Sequence, residues 1–324
     1  MLVDSVLYFL SELFNLGKFQ PFSIMPIPLT KALYSVPYLY DAREFLRKKV
    51  IGKKVHVKVD YMRAAESRDG KDYPERACAT VTFQEQNLAE ALISRGLAVR
   101  IRHRQDDDNR SSQYDELVQA EQRAQKAEKG CYAKTLPPKL QIQELDTKTA
   151  KATFPLLKGK RLDATVDYVF SGSRLKVHIP KENCVATFLI GGIECPRTER
   201  PRRDGVKGTE PGDPCANEAF AFTRDHVQQR DVMIEIETMD KVGGMVGYLI
   251  VNGMNMSIEL VKQGLSKVHY SGEQGKYAAQ LIKAQTEAQA AKLNIWKSWE
   301  PPKEVVQVVE SAPVEVYSHY NNTN

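Results

Sequence analysis

Two stretches of the chain repeat one pattern of apolar and polar positions. NLAEALISRGLAVRIRHRQ at Asn87–Gln105 and NMSIELVKQGLSKVHYSGE at Asn255–Glu273 align without a gap through Gly96 and Gly264. Each stretch is preceded by helix and strand patterns and is followed by a helix rich in Ala, Gln and Lys. Because solenoid repeats run roughly 20 to 50 residues, an internal period this long predicts tandem domains.

The first copy begins with a helix pattern and continues into strands. Periodicity predicts a helix over Tyr40–Val50 and an alternating, half-buried strand over Lys53–Tyr61. The later elements are a polar hairpin loop at Ala64–Pro74, a strand at Arg76–Phe83, and helices at Leu88–Arg95, closed by Gly96, and Tyr114–Lys129. No pattern of three barrel strands precedes the first helix. We therefore expect this copy to be incomplete, as a truncated or misassembled gene model would make it, rather than a natural half-barrel.

The second copy carries a fuller set of elements. Three strand patterns come first, at Leu162–Phe170, Arg174–Pro180 and Cys184–Glu194. A helix follows at Asn217–Gln228, then two strands at Val232–Thr238 and Met245–Val251, and two final helices that end near Trp296. This order predicts the α+β class, with a small closed barrel of the OB type capped by helices.

Prolines and polar stretches between the predicted elements indicate five segments. We expect an atypical N-terminal segment at 1–33, an incomplete domain at 34–136, a linker at 137–154 that starts with two prolines, a complete domain at 155–298, and a polar tail at 299–324.

Composition indicates which kinds of binding partner and which cellular compartment to expect. A hydrophobic content of 42% suffices for two cores, and a net charge of +5 favours polyanion partners. The five cysteines are scattered without a CxxC pair, which favours a reducing intracellular compartment. No apolar run approaches the ~20 residues of a membrane span, so we expect no membrane partner.

Several motifs resemble a known family. ATVDYVFSGSRLKVHI, FLIGGIECPR and GYLIVNGMNMSIELVKQGLSKVHY are similar to a staphylococcal nuclease domain, and RHRQDDDNRSSQYDEL in the first copy adds a resemblance to the Tudor–staphylococcal nuclease family. The resemblance runs from about Tyr34 to Val316. It implies the later part of a third nuclease-like repeat, a whole fourth repeat, and a tail that leads toward a Tudor domain lying outside this sequence.

The resemblance also implies where a catalytic site would lie. Nucleases of this type hold Ca²⁺ with carboxylates, place a glutamate near the attacking water, and use two arginines on the phosphate. The corresponding positions of the second copy are Ser173 and Glu194 for the aspartates, Cys195 for a metal-binding threonine, Arg197 for the base, and Leu189 and Gly244 for the arginines.

Only Glu194 keeps a carboxylate among those positions. We therefore expect a degenerate site without metal or other cofactor, in which Ca²⁺ enters only if the chain is a nuclease after all. Arg197, three residues away, is expected to form a surface ion pair with Glu194. In the first copy Arg76 aligns with the second arginine, so it is either a remnant phosphate contact or an ordinary strand-end arginine.

Basic residues flank the expected barrels in both copies. As nucleic-acid contacts we single out Arg100, Arg102, Arg104, Lys176, Arg197, Arg200, Arg202, Arg203 and Lys207. Tyr168, Phe170 and Tyr270 are either base-stacking or packing aromatics.

Three functions remain open. The first is an RNA-binding scaffold for double-stranded or structured RNA, with the family's implied roles in RNA silencing, RNA processing and transcriptional coactivation, partners from the silencing, transcription and splicing machineries, and a location in cytoplasm and nucleus. The second is an endonuclease that cleaves structured or inosine-containing RNA. The third is a protein-interaction module.

Overall fold

A computed structural model describes residues 33–68, 71–73, 75–103, 109–138, 140–201 and 209–300. The expected N-terminal segment and C-terminal tail therefore lie almost entirely outside the described residues. Within the described ranges, no helix is long and apolar enough to cross a membrane.

The first copy is a small antiparallel sheet covered by helices. Its elements are α1 (Leu39–Val50), β1 (His56–Arg63), β2 (Glu66–Arg68), β3 (Lys71–Tyr73), β4 (Arg76–Phe83), β5 (Gln86–Asn87), α2 (Leu88–Ile93) and α3 (Tyr114–Lys126). The sheet has the order β1-β4-β5, and β2 and β3 pair separately within the expected polar loop. Leu46, Leu88 and Leu92 are fully buried and form its core.

The second copy is a closed barrel. Its elements are β7 (Arg161–Val169), β8 (Arg174–Ile179), β9 (Cys184–Ile190), β10 (Ile193–Glu194), β11 (Arg200–Pro201), β12 (Thr209–Glu210), α5 (Ala216–Val227), β13 (Asp231–Met239), β14 (Met245–Val251), β15 (Met254–Asn255), α6 (Met256–Lys262), β16 (Lys267–Val268), α7 (Tyr270–Glu273) and α8 (Ala278–Ala290). Strands pair in the order β14-β13-β7-β8-β9, and a parallel pairing of β9 with β14 closes the ring. The expected α+β fold with an OB-type barrel is confirmed.

The repeated sequence pattern marks the same structure in both copies. The β1–β4 ladder shifts register between Val59 and Tyr61, and the β13–β14 ladder shifts at the corresponding place, between Ile236 and Thr238. In each copy the repeated glycine has a positive φ and its carbonyl accepts a backbone hydrogen bond from the turn after the last long helix. A Cβ on Gly96 would lie 2.1 Å from the carbonyl oxygen of Lys129, so only glycine fits there.

The two copies differ in what covers their sheets. In the second copy β7 pairs along β13 and β9 along β14, and Ile236 is fully buried. Among the described residues of the first copy, no strand pairs with the outer edges of β1 and β4 in this way. Val59, which corresponds to Ile236, is 51% exposed. The expectation of an incomplete first barrel therefore holds for the described part of the chain.

The segment 137–154, which we predicted to be a linker, carries regular structure in its second half. Strand β6 (Gln143–Glu144) pairs in parallel with β9, and helix α4 (Thr147–Leu157) follows. Asp146 begins α4 by accepting the backbone N–H groups of Lys148 and Thr149, while the Thr149 hydroxyl accepts the Asp146 N–H in return. The buried side chains of α4 join the barrel core, so this segment belongs to the second domain.

Helix α1 of the first copy packs against the second barrel. The Arg43 guanidinium donates to Asp167 on β7 at 2.6 Å, and both side chains are 3% exposed. The Tyr34 hydroxyl donates to the second carboxylate oxygen of Asp167 at 2.8 Å. Arg47 pairs with Asp231 at 2.9 Å. Arg43 and Arg47 of α1 are thus buried where this helix meets the second barrel.

Candidate functional site

The expected catalytic positions of the second copy meet at one end of the barrel. Ser173 lies in the turn between β7 and β8, where its carbonyl accepts the N–H of Ile190 at 2.8 Å. Cys195 lies directly after β10. A Cβ added to Gly172 would approach the Cys195 sulfur to 2.8 Å, so the turn and the thiol are in tight contact.

The Cys195 thiol is not a reactive group in this setting. Burial raises its pKa to about 12, and a hydrogen bond with the Ser173 side chain lowers it only in part. A thiol with so high a pKa stays protonated at neutral pH and is a poor nucleophile and a poor metal ligand. Within the described part of the chain, no three His, Cys, Asp or Glu side chains cluster closely enough to hold a metal ion.

An aliphatic contact occupies the positions that would carry the phosphate arginines. Leu189 on β9 pairs in parallel with Val246 of β14, which lies two residues after Gly244. A Cβ on Gly244 would lie 2.5 Å from the Leu189 Cδ1 atom and 2.8 Å from an Asp240 carboxylate oxygen. The Asp240 carboxylate also accepts the Gly244 N–H at 2.6 Å and fixes the turn. The Leu189 side chain therefore lies where a side chain at residue 244 would begin.

The expected ion pair between Glu194 and Arg197 is wrong. Both residues are exposed, but among the described side chains no ion pair joins them. Glu194 lies across the ladder from Lys267, because β10 pairs with β16. The Arg197 backbone N–H donates to the Asp213 carboxylate at 2.8 Å. This bond fixes the start of the segment 197–207, which carries Arg200, Arg202, Arg203 and Lys207 and which we call the basic loop.

Part of that basic loop can be described. Strands β11 and β12 pair as a short antiparallel hairpin. Arg202, Arg203 and Lys207, and the side chain of Arg200, lie outside the described residues, as does Arg104 of the first copy. Their assignment as nucleic-acid contacts remains a prediction.

Exposed aromatic rings lie near the catalytic positions. Tyr168 and Phe170, at the end of β7, are 44% and 46% exposed and contact each other edge to face at 5.1 Å. Tyr270 is 71% exposed and follows β16, the strand that pairs with Glu194. Lys176 lies opposite Tyr168 in the ladder, yet it is mostly buried and pairs with Glu144. The aromatic rings are therefore more accessible than the lysine that we predicted to accompany them.

The arginines predicted to bind nucleic acid or phosphate in the first copy have different environments. Arg100 pairs with Glu121 of α3 at 2.6 Å and donates to the Tyr114 hydroxyl at 2.5 Å, so its charge is paired within the protein. That Arg100 contacts nucleic acid remains a prediction. Arg102 is exposed. Arg76 begins β4 at the place that corresponds to Gly244, which supports the alignment, but its side chain is outside the described set.

The first copy contains a small cavity. It has a volume of about 140 Å³ and lies between β1, β4, α2 and α3. Asp60, on its wall, accepts hydrogen bonds from the Thr80 hydroxyl at 2.5 Å and the Ser112 hydroxyl at 2.8 Å. The cavity is smaller than the ~300 Å³ at which ligand pockets usually begin.

Comparison with known proteins supplies the family. The family described as staphylococcal nuclease homologue matches residues 25–134 and 187–298, which is more than half of the chain. The chain belongs to this family. The barrel and the repeated helical cap are therefore the family's fold, complete in the second copy and seen in part among the described residues of the first.

The similar proteins carry nuclease names. The chain is 45% identical over 282 residues to staphylococcal nuclease domain-containing protein 1 of Drosophila melanogaster, covering 85% of this chain and 30% of that protein. It is 31% identical over 304 residues to Ribonuclease TUDOR 1 of Arabidopsis thaliana, covering 83% and 29%. It is also 31% identical over 108 residues to the Thermonuclease of Staphylococcus intermedius, covering 33% and 60%. The chain thus spans about 30% of the length of the first two relatives.

Proposed function

We propose that this chain binds structured RNA through nuclease-like barrels that no longer cut it. The observation that carries the proposal is the contact of Leu189 with Gly244, because both positions that would hold a phosphate arginine lack a cation. Removing one preorganised group of this kind typically costs ~10²-fold in rate. The loss of both, together with the base, leaves a barrel that keeps its shape without its chemistry.

The surface around the replaced site supports binding. Tyr168 and Phe170 offer ring faces beside the barrel end, and Tyr270 offers another on the far side of β10. Unpaired bases stack on such rings, and the basic loop that starts at Arg197 supplies charge for the backbone. Loops and bulges of a structured RNA present both features at once.

The experiment is fluorescence anisotropy with a labelled RNA stem-loop in EDTA, over a series of salt concentrations. We expect binding without metal that weakens as salt rises. The variant Tyr168→Ala/Phe170→Ala should bind at least ~10-fold more weakly, since one stacked base is worth about 1–3 kcal/mol. The matched control is Leu156→Ala, which removes another exposed apolar side chain. Equal binding by the double variant and the wild type would contradict the placement of RNA at this end of the barrel.

Endonuclease activity is the second candidate, because two relatives are named ribonucleases of the TUDOR group and a third is named a thermonuclease. Cleavage that requires Ca²⁺ and Glu194 would support it. Persistent binding of a protein partner without any RNA binding at low salt would instead support a protein-interaction module.

The biological setting is also a proposal. On the family resemblance, we propose that RNA binding by this chain serves RNA silencing, RNA processing and transcriptional coactivation, in the cytoplasm and nucleus, with proteins of those machineries as partners. Crosslinking of the full-length protein to RNA in cells, followed by identification of the bound RNA and proteins, tests this setting.

A further inference from the structure

Three cationic side chains converge on one face of the first copy. Lys49 lies in the last turn of α1, Lys53 in the loop before β1, and Arg95 in the turn after α2. The Arg95 guanidinium lies 4.5 Å and the Lys49 ammonium 5.3 Å from the centre of the Phe45 ring. The Lys53 ammonium lies 5.2 Å from the centre of the Phe83 ring. We call these three side chains the cationic triad.

The rings hold the triad in place. Phe45 and Phe83 are only partly buried, and both pack against the core of the first copy. Cation–π contacts of this kind orient a charged side chain without cancelling its charge. The triad is therefore a positioned group of charges on a rigid base.

Neighbouring acceptors leave the triad's charge uncompensated. Lys49 donates to the side-chain oxygen of Gln86, and Arg95 donates to the carbonyl of Ala91 at 2.8 Å; both acceptors are neutral. Within the described ranges, no ion pair includes a member of the triad. Burial, and then the charges of Arg95 and Lys53, lower the pKa of Lys49, as expected where like charges meet.

Helix stabilisation accounts for two of the three charges. A lysine in the last turn of a helix interacts favourably with the helix dipole, which explains Lys49. Arg95 donates to the Ala91 carbonyl in the last turn of α2, which places its charge at the end of that helix. Lys53 lies beyond the end of α1, so the helix ends do not explain why the three charges converge. Mutual repulsion makes their convergence unfavourable unless an anion binds there.

The second copy offers an internal comparison. Its residues at the same places are His226, Arg230 and Gln263, so one permanent charge stands where the first copy has three. The contact of Lys49 with Phe45 is replaced by a stacked pair of His226 and Phe222, with ring centres 4.2 Å apart. The triad is therefore particular to the first copy rather than a requirement of the shared fold.

We propose that Lys49, Lys53 and Arg95 form a binding site for consecutive phosphates of an RNA backbone. The inference rests on the proposed RNA binding and gives the first copy a separate part in it. The triad contacts the backbone without reading sequence, because its donors meet phosphate oxygens and not base edges. An RNA that touches both the triad and the aromatic rings of the second copy would engage both domains.

The test compares two charge-matched variants by anisotropy with an RNA duplex across a salt series. The first is Lys49→Gln/Lys53→Gln/Arg95→Gln. The control is Arg123→Gln/Lys134→Gln/Lys181→Gln, which removes three exposed cations that already pair with Glu90, Glu128 and Asp163. We expect the triad variant to lose at least ~10-fold in affinity and the slope of log K against log salt to fall by about 2–3, since each phosphate contact contributes roughly 0.9. The control should change both much less.

The outcomes separate this inference from the proposed function. If the wild type fails to bind RNA at low salt, both are overturned. If the wild type binds and the triad variant binds equally well, or if both variants lose affinity equally, only the triad assignment is overturned. Phosphorus NMR with inorganic phosphate identifies the source of the anion: phosphate binding that needs the triad, with RNA affinity unchanged, makes it a site for free anions and contradicts the RNA assignment.

Discussion

The two copies of the repeat differ in which parts of the shared domain their described residues contain. The second has a closed barrel, and the positions that the family resemblance predicts to be catalytic hold Ser173, Leu189 and Gly244. The first keeps an arginine, Arg76, at the position of Gly244, but its described residues include only β1, β4 and β5 of the comparable sheet. Within the described residues, one copy has the closed barrel without the predicted phosphate arginines, and the other has an arginine at one of those positions without the closed barrel.

The difference shows which contacts the fold depends on. The glycine of the helical cap and the register shift of the long ladder occur in both copies, because backbone geometry requires them. The positions that the family resemblance predicts to be catalytic are not shared in this way, since Gly244 of the second copy stands where the first has Arg76. The incomplete copy in turn packs its first helix on the complete one, so the two behave as one structure.

The largest predicted effect concerns this packing of one copy on the other. Asp167→Ala removes the 2.6 Å partner of the buried Arg43 guanidinium and leaves it only Glu44, at 3.1 Å, which should lower the free energy of unfolding by about 3–5 kcal/mol. Denaturant unfolding measures the loss. Asp163→Ala is the control, because Asp163 lies on the same strand and pairs with an exposed lysine, where little change is expected. Similar losses in both variants would show that the copies do not depend on each other through Arg43.

The next prediction compares matched positions in the two sheets. Ile236→Ala should cost roughly 2–5 kcal/mol, because it opens a cavity in a closed core. Val59→Ala should cost about 0.5 kcal/mol or less, because Val59 is half exposed. Chemical denaturation of both variants gives the comparison. Comparable losses would mean that the first sheet is covered in solution and that the contrast between the copies is overstated.

A smaller effect should follow from filling the space beside Leu189. Gly244→Ala introduces a methyl group 2.5 Å from Leu189 Cδ1 and should destabilise the protein by about 1–3 kcal/mol. Leu189→Ala in the same chain should recover part of that loss, since it removes the nearer of the two clashing groups and leaves the Asp240 carboxylate oxygen at 2.8 Å. A double-mutant cycle by thermal unfolding measures the coupling. Additive losses would mean that the two residues are not in contact and that the pocket is open.

The smallest predicted effect is a dependence on pH at the interface of the copies. Burial lowers the pKa of His178, which packs against the rings of Tyr34 and Tyr40. Because the unfolded chain then binds a proton more readily, stability should decrease as the pH falls below about 6.5. His178→Phe keeps a ring in place and should remove this contribution. An unchanged slope in the variant would show that His178 is not the titrating group.

Local patterns predicted much of the fold. Strand β4 begins and ends at the predicted residues. The bounds of β7, β8 and β14 agree with the predicted strands to within one residue. Helix α4 was missed, because Thr-rich residues and Pro155 interrupt its pattern. The capping sequence that begins at Asp146 was the signal that could have revealed it.

Contacts between residues far apart in sequence account for the features that local patterns did not predict. Arg100 looked like one of a run of basic residues, but its partners Glu121 and Tyr114 lie on another element. Arg43 and Asp167 are 124 positions apart, and no local pattern indicates their pairing. The cationic triad was missed for the same reason, since Arg95 joins the two lysines only through the packing of α2 beside α1.

The central claim is that the complete barrel holds RNA without cutting it. The most direct test incubates the purified chain with an end-labelled RNA stem-loop, with Ca²⁺ or with EDTA, and follows binding and cleavage in the same samples, alongside Glu194→Gln. We expect equal binding in both conditions, intact RNA, and no effect of the substitution. Cleavage that requires Ca²⁺ and disappears with Glu194→Gln would contradict the central claim.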